Sequence, residues 1–211
     1  MKGVEKSMYK FLSKKLKRFL PTVPNKTLEN VEFDQKYWDT LYEAGRWNFL
    51  HDVSELAHYS VLVGYCHFFS PNGSYLEIGC GEGILQQRLK VLNYNSYTGV
   101  DVSQIAINIA TKFSDERTKF TSCDALRFND SNFYDVIIFN ESLYCFNDCL
   151  AVLKHFSKML AKNGLFIISM HVQSVSNAHW REIDEEYSVI DSITIENLKK
   201  TQWKCKAVAV K

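Results

Sequence analysis

Tyr75-Leu-Glu-Ile-Gly-Cys-Gly-Glu-Gly-Ile-Leu85 decides the fold of this chain. Its first four residues have the apolar character of a short buried strand, glycines then occupy every second position, and Ile84-Leu85 open a run with helical spacing. A strand that passes through a glycine turn into a helix presents backbone N–H groups to whatever lies over the turn. Because glycine has no Cβ, Gly79, Gly81 and Gly83 allow positive φ and close approach of a ligand to the backbone. Glu77 stands two residues ahead of the first glycine, and a second strand-like run, Tyr97-Thr-Gly-Val-Asp101, ends in another acid. In open α/β sheets an acid at that second position meets the ribose of an adenosine-bearing ligand.

Outward from this turn the pattern holds. From Pro71-Asn-Gly73 onward, short apolar runs alternate with helical segments, as in βαβ units of a parallel sheet. Strands are predicted at Tyr75 to Ile78, Tyr97 to Asp101, Lys119 to Ser122, Tyr134 to Asn140 and Leu165 to Met170, and helices over 83–91, 103–113 and 147–161. Asn163-Gly164 would close the last helix with a left-handed cap. Tyr187 to Glu196 and Trp203 to Val210 form a terminal antiparallel hairpin, joined to the fifth strand by a very short link. Upstream, residues 33–70 are aromatic-rich with helical spacing, which predicts two or three helices able to cover a ligand. In residues 1–32, Lys10, Lys14, Lys17 and Arg18 oppose Tyr9, Leu12, Leu16 and Phe19 on a basic amphipathic helix, and Pro21 and Pro24 then open a linker. The expected organisation is a basic extension and linker over 1–32, followed by one α/β domain over 33–211. That domain is a Rossmann-like, mostly parallel seven-stranded sheet with helices on both faces, a C-terminal antiparallel hairpin and an N-terminal helical cap over 33–70.

Composition narrows the function classes. With 25 Lys and Arg against 24 Asp and Glu, the formal charge is +1, and no global field favours nucleic acid as a partner. Six cysteines without a C-x-x-C pair, in or beside apolar segments, suit a reducing cytoplasmic compartment. The sequence shows no apolar stretch of the roughly 18 residues that a membrane span needs, and no uninterrupted apolar run at its N-terminus like that of a signal peptide. Residues 1–20 are read either as a solvated tail or as a peripheral contact with an anionic membrane surface at the inner face. His51, His58 and His67 fall among helical residues with no cysteine at fitting spacing, so no metal is expected. The oligomeric state is left open.

A dinucleotide fingerprint needs G-x-G-x-x-G, but the residue three beyond Gly81 is Ile84 and the spacing here is G-x-G-x-G. The form E-x-G-x-G-x-G resembles the first motif of the class I S-adenosylmethionine-dependent methyltransferases, and the resemblance continues in order through most of residues 75–170. Thr121-Ser-Cys-Asp-Ala125 is similar to the family's third-strand motif, Tyr134-Asp-Val-Ile-Ile-Phe-Asn140 to its fourth strand, and Leu160-Ala-Lys-Asn-Gly-Leu-Phe-Ile-Ile168 to its helix, turn and fifth strand. Phe139-Asn-Glu-Ser-Leu-Tyr-Cys-Phe146 loosely resembles the small nodulation-type N-methyltransferases, which modify a sugar-derived amine. The resemblance implies S-adenosylmethionine as cofactor, S-adenosylhomocysteine as product and no metal. It implies that Glu77, Gly79, Cys80, Gly81 and Gly83 surround the methionine part, that Asp101 holds the ribose hydroxyls and that Val102 packs against the adenine. Asp124, with Ala125, would meet the adenine amino group, and Asn140 would belong to the same site.

The methyl acceptor implied is an oxygen or nitrogen of a small molecule, such as a saccharide, and the carboxyl ends of the fourth and fifth strands supply its candidate partners. Glu141 is read as an orienting group or base, or as a helix-start carboxylate. Tyr144 is a substrate wall or a core residue, and His171 a proton acceptor or an ordinary strand-end histidine. Trp47, in Glu43-Ala-Gly-Arg-Trp47, is a cover for the sulfonium or a core anchor. Two other functions fit the same motifs: an aminopropyl-type transferase, and a catalytically idle cofactor-binding partner subunit.

Overall fold

Strands β1 (Ser74–Ile78), β2 (Ser96–Asp101), β3 (Thr118–Ser122), β4 (Tyr134–Asn140), β5 (Leu160–His171), β6 (Tyr187–Glu196) and β7 (Gln202–Val210) form one sheet in the order β3-β2-β1-β4-β5-β7-β6. They come from a computed structural model, which describes residues 34–211. The basic amphipathic helix and linker read over 1–32 lie outside the described residues. Strands β1 to β5 run parallel, and β7 pairs antiparallel with both β5 and β6. The order reverses between β1 and β4, where the chain has gone out through β2 and β3 on one side and returns on the other. Their diverging carboxyl ends leave a crevice at that switch point.

The described helices are α1 (Gln35–Glu43), α2 (Leu56–Phe69), α3 (Ile84–Leu89), α4 (Gln104–Ala110), α5 (Cys149–Ser157) and α6 (Ser174–Glu186). Alternate residues of the central strands point to opposite faces, so a strand covered on both sides reads as a continuous apolar run. Leu76, Ile78, Ile137, Phe139, Phe166 and Ile168 pack with α5 and α6. Tyr75, Val136, Ile138, Leu165 and Ile167 pack with α2 and α3 on the other face.

Two expectations fail at β5. The helix expected over 147–161 ends at Ser157, and Leu160 already pairs with Tyr134. Asn163 does take a left-handed φ of 66°, but inside β5. There the strand advances from Leu160 to Leu165 while β4 advances only from Tyr134 to Val136, so residues 161–164 bulge. The link from β5 to the hairpin is not short either, because α6 fills it with 13 residues. Val175, His179, Trp180 and Ile183 recur at helical spacing and are buried, and the Gln173 N–H donates to Ser176 Oγ at 3.0 Å at the helix start.

Upstream of β1, α1, two short 3-10 turns (Asn48–His51 and Val53–Glu55) and the start of α2 cover the carboxyl edge of the sheet. Asp34 caps α1 by accepting from the Tyr37 N–H at 2.9 Å. Asp39 ties α1 down: its Oδ1 accepts from Ser103 Oγ at 2.6 Å and from the Ile105 N–H at 3.1 Å, at the start of α4. His51 Nε2 meets Glu82 Oε2 in the glycine turn at 2.9 Å, a second tie. Among the described residues no helix is long and apolar enough to cross a membrane.

Candidate active site

Over the switch point lies a cavity of about 750 Å³, within the range of small-molecule sites. The turn after β1, Asp101 and Val102 after β2, residues 122–127 after β3 and Asn140 to Ser142 after β4 form its floor, and α1, the following loop and the start of α2 form its roof.

The floor is stitched together by close backbone approaches. Gly79 has a φ of 76°, and a Cβ there would stand 2.5 Å from Ser142 Cβ, so glycine is what lets the β1 turn and the β4 loop meet. Ser142 Oγ then donates to the Ile78 carbonyl at 2.5 Å. The Gly81 N–H donates to Asp101 Oδ2 at 2.8 Å and the Ser103 N–H to Asp101 Oδ1 at 2.9 Å. Burial raises the Asp101 carboxyl above its ordinary range, and these two N–H groups oppose the shift.

Glu77 is fully buried under the turn. It accepts from the Tyr97 hydroxyl and from the Asn140 side-chain amide, yet burial still pushes its carboxyl up to about 8. The same amide also donates to Tyr59. Asn140 Oδ1, facing the same cavity, is buried without a hydrogen-bond partner, and so is Trp47 Nε1 in the roof. One is an acceptor and the other a donor, so the cavity suits a ligand that carries both kinds of group. Trp47 stacks on Trp38, with ring centroids 6.0 Å apart and planes at 28°, and tilts against Tyr42.

On the β4 side Glu141 takes a left-handed φ of 56°, rare for a residue with a Cβ. Its carboxylate is held by three donors: Ser169 Oγ at 2.8 Å, the His171 N–H at 3.0 Å and the Tyr144 hydroxyl at 3.2 Å. The arrangement fixes an anion on the cavity wall and raises the Tyr144 phenol well above its ordinary range, first by burial and then by the Glu141 charge.

A model of the methyltransferase domain matches residues 5–204. The chain belongs to that family. Over 135 residues this methyltransferase domain is 30% identical to malonyl-[acyl-carrier protein] O-methyltransferase of Priestia megaterium, a match that covers 63% of this chain and 48% of that protein. Over 120 residues it is 29% identical to ubiquinone biosynthesis O-methyltransferase of Pelagibacter ubique, covering 55% and 49%. The chain thus spans about half the length of the curated relatives it matches. Its fold is similar to that of the N-methyltransferase NodS from Bradyrhizobium japonicum WM9, crystallised with S-adenosylhomocysteine. There the TM-score is 0.66 at 19% identity, over 82% of this chain and 98% of that one.

In the methyltransferase domain, Glu77, Gly79, Cys80, Gly81, Asp101, Val102, Asp124, Ala125, Asn140 and Trp47 all line the one cavity, together with Glu141 and Tyr144. Asp124 stands at the exposed rim, with Oδ1 accepting from the Leu126 N–H at 2.9 Å. Two expected site residues are placed elsewhere. Gly83 does not line the cavity: its φ is 75°, and a Cβ there would press on Phe120 at 3.0 Å and Ala110 at 3.3 Å, so it serves the packing of α3 against β3 and α4. His171 is also off the cavity lining, because its strand pairs with Trp203 of β7 and the ring lies edge-on to that indole at 6.3 Å. Its backbone N–H reaches Glu141.

The structure adds a pair that the sequence reading passed over. Glu55 and His58, one helical turn apart at the start of α2, are both buried and both line the cavity, with Glu55 Oε2 3.9 Å from His58 Nδ1. His58 stacks on Trp203 at 5.0 Å, and the Glu55 charge raises the pKa of Tyr144 and Tyr59 across the space. The available signal was Glu-x-x-His at the head of an otherwise apolar helix.

Proposed function

We propose that this domain transfers a methyl group from S-adenosylmethionine to an oxygen or nitrogen of a small molecule. The observation that carries the reading is the conjunction, in one cavity at the switch point, of buried Glu77 and half-buried Asp101 with the unpartnered Asn140 Oδ1 and Trp47 Nε1. An amino acid joined to a nucleoside has the complementary groups: an ammonium, a carboxylate, a diol and an aminopurine. The relatives are O-methyltransferases by name and the fold neighbour an N-methyltransferase, which supports methyl transfer and leaves the attacked atom open.

In this reading Glu77 and Asn140 receive the ammonium, Asp101 the ribose hydroxyls, and Asp124 the adenine amino group at the rim. Bound there, S-adenosylmethionine supplies an electrophilic methyl on sulfur and is left as S-adenosylhomocysteine. The aromatic roof of Trp38, Tyr42 and Trp47 excludes water and turns ring faces toward a cation. Glu141 is a fixed anion that orients Tyr144 and an acceptor hydroxyl or amine. His58, backed by Glu55, is the group placed to take the proton that the acceptor loses. Much of the rate comes from alignment, since well-oriented reactants recover about 7–11 kcal/mol of barrier. A saccharide-derived acceptor is the finer form of the proposal, and residues 1–20 would bring the domain to an anionic membrane surface.

The test has two stages. Binding of S-adenosylhomocysteine is expected by calorimetry, and its absence would sink the proposal. A mass-spectrometric screen of metabolite and sugar-nucleotide pools should then yield a product heavier by one methyl that depends on both protein and cofactor. Binding without any methylated product would favour the idle partner subunit.

A further inference from the structure

Away from the cavity, one group among the described residues gathers a thiol, an imidazole and a carboxylate: Cys149, His179 and Glu182, whose ligand atoms all lie within 4.8 Å of one another. Sequence spacing hides it, because Cys149 is the first residue of α5 while His179 and Glu182 stand three apart on one face of α6. Packing of α5 against α6 brings them together.

Two of the three separations are those of a coordination shell, and the third, between Cys149 and His179, stays within 4.8 Å. Cys149 Sγ lies 3.3 Å from Glu182 Oε2, and His179 Nδ1 lies 3.6 Å from the same oxygen. With zinc–sulfur bonds of about 2.3 Å and zinc–nitrogen or zinc–oxygen bonds of about 2.0–2.1 Å, the edges of a tetrahedron measure roughly 3.3–3.6 Å. An independent observation comes from His179. It is only 4% exposed, yet neither ring nitrogen has a hydrogen-bond partner. A thiol-to-carboxylate hydrogen bond accounts for the contact between Cys149 and Glu182 but leaves this buried imidazole unsatisfied.

We propose that Cys149, His179 and Glu182 bind a zinc ion, with water as the fourth ligand. Thiolate and imidazole together select a borderline-soft transition ion over magnesium or calcium. Cys149 and His179 are buried, whereas the Glu182 side chain is 52% exposed, so the carboxylate edge is both the entry path and the side open to water. As the ion binds, the Cys149 thiol proton leaves to solvent and the sulfur becomes the anionic ligand. None of the three residues lines the cavity, so the ion is no part of the methyl-transfer chemistry. It clasps α5 to α6, and the 3-10 turn that carries Tyr144 (Leu143–Cys145) packs against α6.

The test is a titration of the chelator-stripped 211-residue chain with Co²⁺, followed by displacement with Zn²⁺. One equivalent is expected, with a thiolate-to-cobalt charge-transfer band and visible bands of tetrahedral intensity, and Zn²⁺ should raise the melting midpoint. Changes outside a metal's direct ligands already cost about 10–100-fold in affinity, so Cys149→Ser and His179→Ala should each cost at least about 100-fold. Cys149→Ser should also abolish the charge-transfer band. Glu182→Ala, at a half-exposed position, keeps the core intact and should weaken binding with its circular dichroism unchanged. Failure of the parent chain to bind one equivalent against a micromolar-affinity chelator overturns the proposal, as does a charge-transfer band that survives Cys149→Ser.

Discussion

At the scale of single residues, Asp101 and Glu77 carry the most specific expectations. S-adenosylhomocysteine at about 100 times its Kd should stabilise the parent protein by roughly 2.7 kcal/mol. Asp101→Ala should lose most of that shift, and Asp101→Asn, which keeps one acceptor for the Gly81 and Ser103 N–H groups, should lose part of it. Differential scanning fluorimetry of the three forms checks this, and equal shifts would remove Asp101 from the site. Glu77 links stability to pH. Its carboxyl is raised from 4.5 to about 8, so over that interval the folded protein keeps a proton that the unfolded chain has released. Stability should therefore fall as pH rises through that window and level off above it. Glu77→Gln should flatten the dependence and be the more stable form on the alkaline side, as read from urea unfolding at about pH 5 and about pH 9. With an acceptor in hand, His58→Ala should lower kcat by about 10²–10⁴-fold while leaving S-adenosylhomocysteine affinity unchanged, and it should flatten the acid limb of the rate profile. A near-normal kcat would return His58 to the core. The acids at 77 and 101 were legible because glycine spacing anchors the positions around them. Glu55 and His58 were not, because a buried pair on a helix leaves no mark that separates it from ordinary packing until the opposite wall is in place.

At the scale of elements, what could be read was what is buried on both faces. β1, β2 and β4 sit inside the sheet and show as continuous apolar runs, so their limits in the sequence and in the structure agree within a residue. α6 buries one stripe and exposes the rest, and with Asn177, Arg181, Asp184 and Glu185 between its apolar positions it passes for a loop. The bulge at residues 161–164 was invisible for another reason. Asn163-Gly164 signals a left-handed turn correctly but does not say whether a helix or a strand contains it. α1 is held by Asp39 at the start of α4, and Asp39→Ala should cost about 1 kcal/mol in urea unfolding, the usual loss for a helix cap. The same variant should release S-adenosylhomocysteine faster in stopped-flow displacement. Unchanged release would mean that the roof opens elsewhere.

On the scale of the whole molecule, the expected seven strands and the closing antiparallel hairpin are present, because short apolar runs separated by long connections mark the parallel strands and a short polar turn marks the hairpin. The extension over residues 1–32 can be tested directly. Deleting residues 1–24 should leave the melting midpoint and cofactor affinity nearly unchanged while abolishing co-sedimentation with phosphatidylserine liposomes. A large loss of stability would show that Tyr9, Leu12, Leu16 and Phe19 dock on the domain. The roof's two ties, Asp39 to the start of α4 and His51 to Glu82, land on the segments that border the cavity after β2 and after β1. Under the proposed function, a spent cofactor would depart once those ties open, and until it did a fresh one would have no berth. Throughput would track the ratio of charged to discharged methyl donor in the surroundings more closely than the supply of acceptor, so the protein would read the methylating capacity of its compartment as well as spend it.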